Sequence, residues 1–170
     1  MGLFSIFSKN KTDNGIQNSG LLVDFKNIEL KELLAESFVI SEREIEGTGG
    51  IILTDWEANL ERTVLGIFDT VHITLKGKEK VINENDSIQV AFFKSKPTTM
   101  QQNEHIVNTI AKICNINDEK WTATDKMRIE SGVWRGRMFQ FGDSTFYIDL
   151  DDINGIKLTI RGFNNFQRKI

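Results

Sequence analysis

The alternation of apolar and polar positions is clearest over Gly132–Phe163, where it predicts three consecutive antiparallel strands. Side chains of a strand alternate between the two faces of its sheet, so a correct register brings like residues together on each face. A turn at residues 151–155 achieves this in the second hairpin, because Ile148 then lies opposite Leu158. A loop one residue shorter would place Ile148 opposite a lysine and mix the faces.

The first hairpin of this meander is assigned by the same rule to a three-residue loop, Phe141–Asp143. A two-residue Gly-Asp loop would place Arg137 beside Ile148, whereas a longer loop also keeps the faces separate. The predicted apolar face carries Trp134, Met138, Phe146, Ile148, Leu150, Ile156, Leu158 and Ile160. The predicted opposite face carries Arg135, Arg137, Phe139, Tyr147, Asp149, Lys157, Arg161 and Phe163.

Among the elements before the meander are two helices and two strands whose patterns favour one interpretation. Apolar residues near helical spacing predict a helix at Asn27–Ser37 and another from about Met100 to Cys114. The second helix can begin with a capping box at Thr98 or at Thr99. The segment Phe38–Glu46 alternates with charges and suits an edge strand, while Ser87–Lys94 is apolar in part on both faces and suits a central one.

The segment from Thr54 to Lys76 contains two conflicting patterns. Thr54-Asp55-Trp56-Glu57 has the form of a capping box, which favours a helix over residues 55–66 followed by a strand over residues 69–76. The alternation that begins near Ile67 supports a competing interpretation, in which one long strand starts at Arg62.

Four shorter segments complete the assignment. Leu21–Phe25 is consistent with a short strand, and Gly47–Gly50 predicts a hairpin turn because it lacks the residues of a phosphate loop. Residues 118–122 predict a single helical turn, and the polar tail at residues 164–170 is expected to be frayed.

These elements predict an α+β fold, in which a mostly antiparallel sheet of five to seven strands carries two or three helices chiefly on one face. The domain is expected to span residues 21–170 after a flexible tail at residues 1–20. For the apolar Met1–Phe7 three interpretations remain open: a membrane or partner anchor, a frayed end, or a segment that covers an apolar patch of the domain.

Composition narrows the class of protein. The chain has 170 residues and a net charge of −3, which gives no reason to expect a nucleic-acid partner. The single cysteine, Cys114, excludes an internal disulfide and fits a reducing compartment. Since no apolar run approaches the ~20 residues of a membrane span, no transmembrane segment is expected. Abundant Ile, Asn and Lys favour a bacterial source, and together these features predict a cytoplasmic bacterial protein; its oligomeric state is not indicated.

Residues able to support catalysis are few. His72 and His105 fall on the polar sides of their elements, and Cys114 falls on the apolar stripe of its helix, so no catalytic residue and no cofactor are predicted. The rival hypothesis is a small hydrolase or ligand-binding domain whose site assembles from distant residues, with His72, Asp69 and Cys114 as first candidates.

Oxygen-bearing side chains cluster near Asp149, Asp151, Asp152 and Asn154. Clustered oxygens can hold calcium, but the spacing differs from that of a calcium loop and no glutamate closes it. Asp, Asn and Gly also favour a hairpin turn, so no metal site is predicted.

The predicted polar face of the meander is the one surface with functional character. Its candidate binding residues are Arg135, Arg137, Phe139, Tyr147, Lys157 and Arg161. Arginine mixed with aromatic residues is typical of protein-interface hot spots and also of single-stranded nucleic-acid platforms. Because the net charge is negative and Asp149 lies within the face, we expect a non-enzymatic protein-interaction module, such as an adaptor, chaperone-like or inhibitor protein, rather than a nucleic-acid binder.

Overall fold

Seven antiparallel strands form one sheet in the order β1-β2-β3-β4-β7-β6-β5. The computed structural model describes residue 20 and residues 22–83, 86–116, 118–151 and 155–170. The strands are β1 Phe38–Glu44, β2 Ile52–Val64, β3 Phe68–Lys76, β4 Gln89–Phe93, β5 Arg137–Phe141, β6 Ser144–Asp151 and β7 Gly155–Arg161. The helices of seven or more residues within the described ranges are α1 Leu30–Glu36, α2 Met100–Ile113, α3 Ala123–Glu130 and α4 Phe163–Lys169. The predicted α+β class, antiparallel sheet and C-terminal meander are confirmed.

Consecutive strands pair with one another in two blocks, β1–β4 and β5–β7. The blocks meet where β4 pairs with β7, from Gln89 opposite Arg161 to Phe92 opposite Leu158. The predicted central strand is therefore confirmed as β4, which has a neighbour on each side.

The helices pack on one face of the sheet. The rings of Phe92 and Phe146 on this face lie 6.0 Å from Phe163 and 5.0 Å from Phe166 of α4, centroid to centroid. Each of these four side chains is fully buried, so the core lies between the sheet and the helices. The strand residues buried on this face include Trp56, Ala58, Val71, Ile73, Leu75, Val90, Phe92, Phe139, Phe146, Ile148, Ile156, Leu158 and Ile160.

The start of α2 distinguishes between the two predicted capping boxes. Thr99 Oγ1 accepts a hydrogen bond from the Gln102 amide, and the Gln102 side chain accepts one from the Thr99 amide. Thr98 instead accepts from the Ile156 amide at 2.9 Å, which ties the approach to α2 to the start of β7.

The helix predicted over residues 55–66 is wrong, and so is the single long strand. Residues 52–64 form β2, which turns at residues 65–67 into β3. The side chains alternate along β2, since Trp56 and Ala58 are buried while Asp55 and Glu57 stay half-exposed. Alternation of this kind buries one face of a strand, whereas a helix of the same sequence would not separate these residues.

Thr54 has a different role from the helix cap that the sequence suggested. Its buried hydroxyl donates to the carbonyl oxygen of Gly77 at 2.6 Å, at the end of β3. The apparent capping box at Thr54 is therefore part of a strand, and its hydroxyl satisfies a backbone acceptor across the sheet.

The C-terminal meander has one register that was predicted correctly and one that was not. The second hairpin pairs Ile148 with Leu158 and Asp149 with Lys157, as expected. The first hairpin closes through the two-residue loop Gly142-Asp143, so the three-residue loop is wrong.

This shorter loop exchanges the faces of β5. Phe139 lies opposite Phe146 in the core and is 1% exposed, whereas Met138 is 63% exposed. Arg137 lies opposite Ile148 on the face covered by the helices.

Three short segments also differ from the expectations. Residues 22–26 are helical rather than extended, and the helix near residue 122 begins after it, as α3. The C-terminal tail forms α4 because Phe163 and Phe166, one turn apart, both insert into the core.

The edge strand β1 and the turn at residues 47–50 agree with the sequence. All seven residues of β1 are exposed, and its pairing with β2 is interrupted by a bulge between Val39 and Ser41. The turn joins β1 to β2 and contains glycines with positive φ at Gly47, Gly49 and Gly50.

Candidate functional site

The sheet face opposite the helices is the open face. Its residues include Ser41, Arg43, Asp55, Glu57, Asn59, Thr70, His72, Thr74, Gln89, Ala91, Phe93, Met138, Gln140, Thr145, Tyr147, Asp149, Lys157, Thr159 and Arg161. Most of these side chains are half-buried against one another, in contrast to the fully buried residues of the core face. Within the described ranges, the helices pack on the other face.

Arg161, the last residue of β7, and Tyr147 on β6 form a cation–aromatic pair on the open face. The guanidinium carbon of Arg161 lies 4.8 Å from the centroid of the Tyr147 ring. Arg161 Nε donates to Gln89 Oε1 at 3.2 Å, and a second guanidinium nitrogen donates to the Tyr147 hydroxyl at 3.4 Å. These contacts hold the exposed guanidinium in one orientation before any partner binds, which reduces the side-chain entropy lost on binding.

Met138 and Lys157 extend this group across the meander. Met138 lies beside Tyr147 in the register of β5 and β6, and its flexible thioether side chain is largely exposed. Lys157 lies across from Asp149, yet neither Lys157 nor the exposed Arg135 forms an ion pair within the described part of the chain. Within the described ranges, Lys157 is therefore a cation without an ion-pair partner on the same face as the Arg161–Tyr147 pair.

Arg137 and Phe139 do not belong to the predicted binding face. Phe139 lies in the core, and Arg137 donates to both carboxylate oxygens of Asp125, at 2.8 and 3.0 Å. The sequence placed the four remaining candidates, Arg135, Tyr147, Lys157 and Arg161, on one side of the meander; Tyr147, Lys157 and Arg161 share the open face, and Arg135 precedes β5.

Asp125 is the centre of a buried polar cluster that explains the register of β5. Its carboxylate, 3% exposed, also accepts from the Trp134 indole at 2.9 Å and from the Thr122 hydroxyl at 2.7 Å. Burial by itself raises the pKa of Asp125, but the hydrogen bonds from Arg137, Trp134 and Thr122 outweigh it and lower the pKa to about 2. Because Arg137 is paired with Asp125, it can lie on the core side of β5, where the apolar pattern had predicted Met138 instead.

His72 forms the other polar group of the open face. Its Nε2 lies 2.7 Å from Glu57 Oε2 on the neighbouring strand, and its ring packs on Phe93 with 4.2 Å between centroids. An imidazole beside a carboxylate can move protons, but this pair lies on a sheet surface, outside the two cavities near the end of β3.

The residues proposed for a hydrolase do not converge. Asp69 has the register of the core-facing positions of β3 and accepts two hydrogen bonds from Ser95, each 2.7 Å, which lower its pKa although burial opposes them. Cys114 ends α2, and burial raises the pKa of its thiol to about 12, so it is not a thiolate near neutral pH.

Asp55 joins the strands β1, β2 and β3. It accepts from the Ser41 and Thr74 hydroxyls, both at 2.6 Å, and from Arg43. Burial raises the pKa of Asp55, and these donors lower it by more, so the net shift is downward. The carboxylate oxygens of Asp55 already accept hydrogen bonds from neighbouring side chains, so few acceptor sites remain for a binding partner.

Some residues of the open face were not placed there by the sequence analysis. Gln89, Phe93 and Met138 could be placed there only after the registers of β3–β4 and β5–β6 were known. The alternating pattern of β4 was the available signal for Gln89 and Phe93, but it does not say which face is covered.

The predicted acidic turn falls partly outside the described residues. Asp151 pairs with Gly155 at the end of the second hairpin, and residues 152–154 lie outside the described ranges. Among the described residues, no group of three or more His, Cys, Asp or Glu side chains is arranged to hold a metal ion.

No family model matches the chain, and the comparisons with curated proteins and with solved structures found no match either. Within the described ranges, no helix has both the length and the apolar character needed to cross a membrane.

Proposed function

We propose that the chain is a non-enzymatic protein-interaction module of the bacterial cytosol, which binds an acidic segment of another protein on its open face. The observation that carries the proposal is the oriented Arg161–Tyr147 pair beside the exposed Met138. Arg, Tyr and Met are enriched in protein interfaces relative to other surfaces, and hot spots form around such residues.

Charge supports an acidic partner. On the open face beside the Arg161–Tyr147 pair, Lys157 has no ion-pair partner within the described ranges, and the carboxylates of β6 on this face are Asp149 and Asp151. The carboxylates on the other half of the face, Asp55 and Glu57, are already hydrogen-bonded to neighbours. An incoming carboxylate would therefore meet cations on the side of the face near the meander.

Site-specific photo-crosslinking tests the location of the interface. A benzophenone amino acid at Met138 is compared with the same residue at Met127, which is 59% exposed on α3 and lies away from the open face. We expect a discrete crosslinked protein from position 138 in cells and not from position 127. Equal crosslinks at both positions, or none at 138, would contradict the proposal.

The double substitution Arg135→Glu with Arg161→Glu tests the chemistry of the interface. Reversing a hot-spot charge typically costs at least ~2 kcal/mol of binding energy, so the Kd of the crosslinked partner should rise roughly thirtyfold or more. Lys31→Glu with Lys112→Glu is the control, because it makes the same change of net charge on the helices. If the partner binds the open-face variant and wild type equally well, the open face is not the interface.

A further inference from the structure

A cavity lies at the end of the sheet where β3 ends and β4 begins. It is formed by the ends of β1–β4 and β7, the turn between β1 and β2 and residues 81–83 and 86–88 of the connection between β3 and β4. Its volume is ≈ 380 Å³. Pockets that hold small molecules usually measure roughly 300–1,000 Å³, so this one is large enough for a compact ligand.

The walls of the cavity are mainly apolar. Leu75 and Ile88 are 4% and 1% exposed and belong to the core, while Ile51 and Leu53 are half-buried along β2 and the turn before it. Val81, which is 50% exposed, lines the side formed by the connection. Apolar surface of this kind gains about 25 cal/mol for each Å² that a ligand removes from water.

Charges at the cavity are predominantly positive. Arg43, Lys76 and Arg161 line it, with Asp86 as the carboxylate among its lining residues. Arg43 is paired with Asp55, and Arg161 lies over Tyr147, so these two cations are already engaged. Lys76 is exposed and has no hydrogen-bond or ion-pair partner among the described residues. As far as the described ranges show, one ammonium group without an ion-pair partner therefore lies beside an apolar cavity.

We propose that this cavity binds a small amphiphilic anion, in which a carboxylate contacts Lys76 and a short hydrocarbon chain fills the apolar part. An apolar pocket with a few placed polar groups is the usual form of a small-molecule site. The cavity adjoins the open face, because Arg43, Gln89 and Arg161 line it. The two residues that carry this proposal, Lys76 and Val81, are not among those proposed for the protein interface.

Isothermal titration calorimetry with octanoate tests the proposal on the full chain. We expect saturable binding of octanoate, and much weaker binding of acetate, which has the head group without the chain. Octylammonium, which has the chain without the negative charge, should bind at least roughly tenfold more weakly because it meets Lys76 with like charge. From hexanoate to octanoate, affinity should rise by roughly fourfold for each methylene group.

Two pairs of matched variants locate the site. Lys76→Glu and Val81→Glu should each weaken octanoate binding by roughly tenfold or more. Their controls, Lys31→Glu and Val133→Glu, make the same changes at exposed positions that do not line the cavity, and should stay within about twofold of wild type. Far-UV circular dichroism checks that each variant is folded.

Each contrary result overturns the proposal. If octanoate does not bind below its solubility limit, or octylammonium binds as tightly, the cavity is not a site for amphiphilic anions. If all four variants bind alike, octanoate binds elsewhere on the chain.

Discussion

Replacing Asp125 with asparagine removes a charge from the buried cluster while keeping the size of the side chain. The hydrogen bonds from Arg137, Trp134 and Thr122 lower the pKa of Asp125 from 3.8 to about 2, although burial opposes them. Each pKa unit corresponds to about 1.4 kcal/mol, so the charged form contributes about 2 kcal/mol to stability at pH 7. Asp125→Asn should lower the free energy of unfolding by at least that amount. The N–H group of the new amide would also face Arg137, Trp134 and Thr122, which are themselves hydrogen-bond donors.

Urea unfolding followed by far-UV circular dichroism measures this loss at pH 7. The slope of stability against urea is typically about 1–3 kcal/mol per molar, so the midpoint of the variant should fall by roughly 1 M. Asp143→Asn is the matched control, since the carboxylate of Asp143 pairs with Lys169 on the exposed surface. We expect no resolvable shift of the midpoint for that variant.

The pH dependence gives a second check with a definite sign. The folded pKa of Asp125 lies below its usual value, so its contribution is fully present above about pH 4 and is lost as the pH falls toward 2. The difference in stability between wild type and Asp125→Asn should therefore narrow between pH 4 and pH 2. A difference that stays constant over this range, or an unchanged midpoint at pH 7, would refute the argument.

Three other substitutions or reactions test the packing described above. Gly136→Ala should destabilise the chain by more than Gly132→Ala. Both glycines have positive φ, which costs roughly 1–2 kcal/mol for a residue with a side chain. Only at Gly136 would the new Cβ atom also collide with the carbonyl oxygen of Ile148. Urea midpoints of the two variants decide this, and equal losses would contradict it. Thr99→Ala should cost about 1 kcal/mol through loss of the capping box, measured in the same way, and an unchanged midpoint would show that the cap contributes nothing. Cys114 should react with iodoacetamide far more slowly in the folded chain at pH 8 than in urea, because burial raises the pKa of its thiol to about 12; equal rates would place it in solvent.

The second hairpin could be predicted because every residue in it follows the face rule. Ile148, Leu158 and Ile160 are buried and Lys157 and Asp149 lie on the open face, so a single register satisfied the whole segment. The pattern alone was sufficient there because no charged side chain of β6 or β7 lies on the core side of the sheet.

The first hairpin could not be predicted because its stability depends on a residue outside it. Arg137 lies on the core side only because Asp125, twelve residues earlier on α3, neutralises it. A rule that compares residues within the hairpin assigns arginine to solvent and methionine to the core, and both assignments are wrong here. Buried ion pairs of this kind are specified by tertiary contacts and not by local periodicity.

Contacts between distant parts of the chain also determine β2 and the candidate site, and local periodicity does not reveal them. Thr54 and Glu57 have the spacing of a helix cap, and this local signal outweighed the weaker alternation of Trp56 and Ala58. With β2 assigned as a helix, the pairing of Glu57 with His72 could not be anticipated, because it is a contact across two strands. The cavity is also a product of tertiary structure, since its lining comes from segments far apart in the chain.

The pairing of β4 with β7 has a consequence for how the chain folds. The two blocks of consecutive strands can each form from local contacts, but Gln89 and Arg161 are 72 residues apart. Closing a loop of that length costs about 4 kcal/mol of chain entropy, so we expect this seam to form late and to limit the folding rate. Arg161 contacts Gln89 on one side of the seam and Tyr147 on the other. The contact of Arg161 with Gln89 thus forms only in a chain whose two blocks have joined, whereas the Arg161–Tyr147 pair lies within one block. A partner that requires the guanidinium orientation fixed by Gln89 would therefore bind the fully folded chain in preference to one whose blocks are still separate.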